Sequence, residues 1–323
     1  MNDLSILHDL DAMSEITRRL NKPWLVAVWP GMGQVAISAG YYLMAKLGMD
    51  VLAEFSPREL FEVDHVEVKN GLIHAARLPR SRCFVWIDPG KHHDIVLFIG
   101  EAQPTGRLAF CQALIRFATH LGVERIFTFA AMATRMHPEH KSRVFVAATD
   151  QATLDELSNH EFEVLEEGHI GGLNGVVLGE AAAAGLPGAC LLGEIPHIFS
   201  QLPFPGASLS VLSAFADLAG ITIDLDELQE QADVVAERLG EFLSKAEEEI
   251  QAKLTPESPE EDSDVDLEPE QGPTPEDRRR IDELFAQARA DRSKAYELKQ
   301  ELDRLGAFAE YEDQFLDLFQ KPQ

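Results

Sequence analysis

Basic residues are scarce in this chain. Its 323 residues hold 28 Lys and Arg against 55 Asp and Glu, a formal net charge of −27, and much of the excess lies after Asp224. A surface of that sign repels phosphate backbones and anionic lipid headgroups, so neither nucleic acid nor membrane is an expected partner. Cysteine is scarce too. Cys83, Cys111 and Cys190 stand far apart without a CxxC pair, which predicts buried free thiols in a reducing cytosol rather than a disulfide framework. No apolar run approaches the ~20 residues that span a bilayer. The N-terminal stretch carries Asp3, Asp9, Asp11 and Glu15 before Arg18, without the basic and apolar regions of a signal peptide. Cytoplasmic location is the expectation. HExxH, GxSxG and Walker GxxxxGK(S/T) patterns are also missing, which leaves hydrolase and P-loop readings unsupported.

What is present has ordinary globular proportions, 45% hydrophobic and 26% charged, enough for a sizeable core. Residues 1–22 read as a short acidic helical segment with Leu4, Leu7, Leu10, Ile16 and Leu20 on its apolar side. Trp24 to Trp29 is a continuous apolar run, the pattern of a strand buried on both faces. Pro30-Gly31-Met32-Gly33 ends it, and a helix follows from about Gln34 to Lys46, stopped by Gly48. Val51 to Phe55 is a strand. His65–Val68 and Leu72–Arg77 form a hairpin about Asn70-Gly71. Cys83–Ile87, Asp94–Ile99, Arg125–Ala130, Arg143–Ala148 and Ala189–Gly193 are further strands. Helical spacing covers Leu108–Leu121, Thr153–Asn159, Gly175–Ala184, Leu209–Ala219 and Leu225–Leu254. This alternation predicts one α/β core over 23–254, a mostly parallel sheet covered on both faces and mixed through the hairpin. Residues 255–275 hold Pro, Ser, Asp and Glu with almost nothing apolar, which predicts a disordered acidic linker. The extension 276–323 reads as one coiled-coil-like helix from Pro275 to Leu305, interrupted at Asp291 and Arg292, followed by an aromatic face of Phe308, Tyr311, Phe315 and Phe319. Exposed, that face is an aggregation hazard, so it is expected to dock on the domain or on a second subunit.

Four turns carry polar or glycine-rich constellations, each with two readings. Gly31, Gly33 and Ala36 fit GxGxxG/A spacing between a strand and a helix, with Glu54 near the place of a ribose-binding acid; the same glycines also serve a tight turn. Gly100-Glu101-Ala102-Gln103-Pro104 follows a strand, where α/β sheets place ligands, and reads equally as a capped loop. Gly171-Gly172-Leu173-Asn174-Gly175 opens a helix, as an anion site or as plain turn geometry. Glu194 and His197 follow an apolar strand, either as an acid/base pair or as a structural loop. His92-His93 and His137-Pro138-Glu139-His140 hint at a metal. Zinc needs three or four ligands in fixed geometry, and Pro138 spoils a helical presentation. Neither metal nor cofactor is expected.

In order, these motifs look familiar. Pro30-Gly31-Met32-Gly33-Gln34-Val35-Ala36, Ala53-Glu54-Phe55 and Leu97-Phe98-Ile99-Gly100-Glu101-Ala102-Gln103-Pro104 form the first half. Gly171-Gly172-Leu173-Asn174-Gly175, Cys190-Leu191-Leu192-Gly193-Glu194-Ile195-Pro196-His197 and Pro205 with Ala207 form the second. From Pro23 to Ala232 the set resembles the proteasome assembly chaperone 2 family of bacteria and archaea. The resemblance implies a three-layer αβα sandwich of the phosphorylase/hydrolase-like type. It also implies self-association and a non-catalytic, chaperone-like role toward protein partners. The alternative is an enzyme binding a nucleotide or small metabolite at the Gly31/Gly33 turn. Some archaeal relatives end in a hydrophobic-Tyr-any tripeptide that docks on proteasomes. Lys321-Pro322-Gln323 departs from it, and Tyr311, Phe315 and Phe319 are the substitute partner surface.

Overall fold

The computed structural model describes residues 20–55, 61, 66–69, 71–75, 78–254 and 274–319. Nearly all of the expected N-terminal segment and of the acidic linker lies outside the described residues. Strand β1 (Trp24–Val28) is buried along its whole length. Its alternate side chains enter two separate hydrophobic clusters: Trp24, Val26 and Val28 in one, Leu25 and Ala27 in the other. A strand that feeds a core on each side has no polar positions to give, hence the unbroken apolar run.

The other strands of its sheet are β2 (Asp50–Phe55), β5 (Ser81–Trp86), β6 (Ile95–Gly100), β7 (Arg125–Thr134), β8 (Val144–Ala148), β9 (Glu163–Val164) and β10 (Gly188–Pro196). Their order is β2-β5-β6-β1-β7-β10-β8-β9. β6, β1, β7 and β10 run parallel, while β5 runs against both β2 and β6, and β8 runs against β10 but parallel to β9. The sheet is mixed, as expected, but not through the hairpin. β3 (Val66–Lys69) and β4 (Leu72–Ala75) form a separate two-stranded sheet.

Helix α1 (Val35–Leu47) and, later in the chain, α5 (Pro205–Ala219) cover one face; α2 (Arg107–His120) and α4 (Gly172–Ala183) cover the other. A short α3 (Gln151–Leu157) links β8 to β9, and the long α6 (Asp226–Leu254) packs beside α5. The architecture is therefore the αβα sandwich. β7 and β10 run farther than expected, to Thr134 and Pro196, because their ends stay paired with each other residue by residue. Among the described residues, no helix is long and apolar enough to cross a membrane.

The C-terminal extension is not one helix. α7 (Pro275–Ala290) opens with a capping box between Thr274 and Asp277 and stops at Asp291. The Asp291 carboxylate accepts from Ser293 N–H at 3.0 Å and starts a 3-10 turn, after which α8 (Ala295–Arg304) and α9 (Phe308–Asp317) follow. This break turns the chain so that Arg292 reaches Asp50 at 2.9 Å. The three helices join the same hydrophobic cluster as α1. Tyr41 meets Phe308 and Phe315 edge-on at 5.4 and 5.9 Å, and Tyr42 meets Tyr296 at 4.4 Å. Val51 N–H on the edge strand β2 donates to Phe319 O at 3.1 Å, which covers part of an edge otherwise open to strand addition.

Candidate functional site

Because the central strands are parallel, their C-terminal ends share one rim, and the antiparallel β5 and β8 enter at that rim through their first residues. The loops after β1, β6, β7 and β10 therefore lie side by side, the place where α/β sheets put binding sites.

The loop after β1 is closed by two consecutive left-handed residues, Gly33 at φ +60° and Gln34 at φ +49°. Gly33 is also where a second loop is fastened. Its N–H donates to Ser200 O at 2.8 Å, its carbonyl accepts from Phe204 N–H at 2.9 Å, and Gln34 N–H donates to Gly31 O at 3.0 Å. The two amides that a phosphate would need are thus engaged by carbonyls. Gly31 itself is extended and open to solvent.

Glu54 does not serve that turn. β2 is separated from β1 by β5 and β6, about 14 Å at ordinary strand spacing, and Glu54 Oε2 accepts from Arg82 Nε at 3.1 Å. The ribose-acid reading of Glu54 is corrected on that ground. Glu101 lies in the same neighbourhood. Its Oε2 accepts from Arg80 N–H at 2.8 Å, and Arg82 stands 3.8 Å from Oε1. These arginines also hold Asp313 of α9, at 3.1 Å from Arg80 and 3.4 Å from Arg82. The cavity among Tyr41, Arg80, Arg82, Glu101 and Glu312 measures about 10 Å³, room for roughly one water.

Gln103 ties the centre of the rim together. Its Nε2 donates to Pro30 O at 3.4 Å, and its Oε1 accepts from Leu173 N–H at 3.3 Å, joining the β1 loop to the start of α4. Gly100 ends β6 with its Cα against the Trp29 indole. Gly175 is required by contact alone: a Cβ there would fall 1.9 Å from Ile170 O. Asn174 is buried, its main-chain carbonyl accepting from Thr128 Oγ1 at 3.3 Å, while its Oδ1 has no hydrogen-bond partner among the described residues.

Glu194 and His197 do not form an acid/base pair. The Glu194 side chain is only 4% exposed and accepts from Arg143 Nε and Nη2, both at 2.8 Å, and from Thr134 Oγ1 at 2.7 Å. Those bonds, Arg143 foremost, hold its carboxyl below the usual range, so it stays ionised and suits structure better than proton transfer. His197 is exposed and uses Nδ1 on Thr134 O at 3.0 Å. Sequence reasoning missed Arg143, Thr134, Arg80 and Arg82. The signal for Arg143 was the antiparallel register that sets Val144 opposite Gly193, which no local motif encodes.

The expected C-terminal partner surface is also corrected. Phe315 and Phe319 are fully buried and Tyr311 packs on Phe285 at 6.0 Å, because α1 and β5 supply the apolar surface they need. Beside the exposed Gln34 and His197, the rim exposes large apolar side chains: Met32 after β1, and Ile198 and Leu202 after β10, each about half exposed. The bonds at Gly33 fasten their two loops together.

The fold and sequence have known counterparts. The chain is 25% identical over 241 residues, 72% of its length and 86% of the other, to the uncharacterised protein MJ1210 of Methanocaldococcus jannaschii. It is similar in structure to Pyrococcus furiosus PbaB, an archaeal proteasome activator, with TM-score 0.57 and 25% identity over 73% of this chain and 94% of that one. It shares the fold of the Mycobacterium tuberculosis proteasome-assembly chaperone homologue Rv2125, with TM-score 0.58 and 21% identity over 68% and 94%. The PAC2 family model matches residues 25–243, the span that builds the sheet, its covering helices and the rim, and the chain belongs to that family.

Proposed function

We propose that this chain is a non-catalytic, chaperone-like module that self-associates in the cytoplasm and holds a client protein on its rim. The observation that carries the reading is the composition of the rim. Glu194 and Glu101 are engaged internally, whereas Met32, Ile198 and Leu202 face solvent on loops locked to each other. A pre-set apolar patch ringed by paired polar groups is the anatomy of a protein interface. The likeness to a proteasome activator and to an assembly-chaperone homologue supports a client of that class, a subunit in the course of assembly. Three buried free cysteines fit a reducing compartment.

The test is crosslinked co-purification from the native cell with the unaltered chain and with Ile198→Asp plus Leu202→Asp. A protein recovered with the first and lost with the second is the expected result. Recovery unchanged by the double substitution removes the rim as the docking site. Thermal stabilisation by a nucleotide, about 2.7 kcal/mol at a hundred times its dissociation constant, would return the Gly31/Gly33 turn to ligand binding.

A further inference from the structure

The apolar patch of the rim continues onto α6. Phe242 is 64% exposed, and its ring meets that of Phe199, the neighbour of Ile198, edge-on at 6.1 Å. Arg238 and Lys245 stand four residues before Phe242 and three after it, both exposed, so the three side chains share one face of the helix. Arg135 reaches the patch from the other side. It follows Thr134, whose carbonyl meets His197 Nδ1 at 3.0 Å, and His197 precedes Ile198.

Charge around this patch is opposite in sign to that of the chain. Arg135 and Arg238 are exposed and hold no ion pair among the described residues. Lys245 has a loose partner, Glu241 at 3.9 Å, with both side chains largely in water. Of the other acids nearby, Glu194 is committed to Arg143. Glu139 lies against Gly240, two positions from Phe242 and so on another flank of the helix. Three cations thus adjoin the apolar side chains with Glu241 as the acid beside them, in a chain of 28 Lys and Arg against 55 Asp and Glu. Elsewhere the net charge of −27 repels an acidic partner, which confines such a partner to this place; a basic one would be drawn to the whole surface.

We propose that the client segment held by the rim carries carboxylates beside apolar side chains. Its apolar groups sit among Met32, Ile198, Leu202 and Phe242, and its carboxylates face Arg135, Arg238 and Lys245. This rests on the rim reading above and names the chemistry of its partner.

Fluorescence anisotropy with the full chain and three labelled peptides tests it: leucine alternating with glutamate, with glutamine, or with lysine. The glutamate peptide should bind about tenfold more tightly than the glutamine one, the advantage should shrink as salt is added, and the lysine peptide should bind least. Arg135→Gln plus Arg238→Gln, with folding verified by circular dichroism melting, should erase that advantage and leave the glutamine peptide within about twofold of its original affinity. Equal binding of the glutamate and glutamine peptides, tighter binding of the lysine one, or no binding at all overturns the acidic assignment. Ile198→Asp plus Leu202→Asp separates that failure from a failure of the rim: peptide binding unmoved by this pair removes the rim itself. If the glutamate peptide binds only after Asp264→Asn, Asp266→Asn and Glu268→Gln, the chain's own acidic stretch is the occupant and the external segment falls. A mass by light scattering that drops with Arg135→Gln plus Arg238→Gln makes a second copy the occupant, with the same consequence.

Discussion

The C-terminal helices and the β3–β4 hairpin both present apolar faces beyond the minimal sheet and its helices, yet only the helices are buried against their own chain among the described residues. The helices sit outside the stretch matched by the family model and bury Ile281, Phe285, Leu298, Leu302, Phe315 and Phe319 against α1 and the β2–β5 edge. The hairpin lies inside that stretch and leaves Val66, Val68 and Ile73 in solvent. Charge separates the two further. Arg292–Asp50 and the Arg80/Arg82–Asp313 cluster clamp the helices to the core, and Lys299 is buried between the Tyr41 and Phe308 rings with Asp303 as its partner. Surface that is buried and clamped reads as structure, whereas surface that is apolar and open reads as interface.

The sharpest way to break this contrast is Phe315→Ala. Phe315 is fully buried and touches Tyr41, Phe308 and Phe319. Removing its ring should cost about 3–5 kcal/mol through lost transfer energy and the cavity left behind. Urea unfolding followed by tryptophan fluorescence reads it, since all three tryptophans lie in the core sheet region at Trp24, Trp29 and Trp86. An unchanged midpoint would mean that the helices are an appendage rather than part of the cooperative body.

Sequence patterns foretold the core far better than the extension and the site. Runs such as Trp24–Trp29 and Leu97–Ile99 announce their strands because burial on both faces leaves no choice of residue. Helix α1 was readable from its length and from the stop at Gly48. The break at Asp291 was marked as an interruption but not as a change of direction, because its cause, Arg292 reaching Asp50, spans more than two hundred residues. The rim glycines were legible. Their chemistry was not. Whether Gly33 N–H meets a phosphate or Ser200 O, and whether Glu194 meets His197 or Arg143, depends on strand order, which local spacing does not contain. The stripe of Phe315 and Phe319 predicts docking on the domain or on a second subunit, and the structure shows the first; the pattern alone does not choose, because an aromatic stripe looks the same whether the surface it covers is its own or another's.

A smaller effect should follow from acid. Arg304 holds Glu301 below the usual carboxylate range, and the Thr274 hydroxyl does the same for Asp277. A depressed folded-state value means that the contribution is complete above the unfolded value, near 4, and is lost as pH falls through the folded one. Amide exchange in 275–317, corrected for intrinsic rate, should therefore accelerate between about pH 5 and pH 3, while Glu301→Gln should flatten that response. Smaller again is Asp313→Asn. Asp313 is about half exposed and Arg82 keeps Glu54 and Glu101, so the loss should stay below about 1 kcal/mol. A larger loss would make this clamp, rather than apolar packing, the main hold on the helices.

The smallest expected change in stability tests the other half of the contrast. Ile73→Thr keeps a β-branched side chain in the hairpin and removes part of its apolar surface. Ile73 touches no buried core, so unfolding of dilute, dissociated chain should move by no more than about 0.5 kcal/mol. Association is a different matter. If the face is an interface, the lost apolar area is felt only between copies, and the concentration at which the oligomer dissociates should rise several-fold in sedimentation velocity. A core residue does the reverse, lowering stability at every concentration. Ile73→Thr behaving like Phe315→Ala would place the hairpin among the buried parts of the molecule and erase the distinction between the two regions.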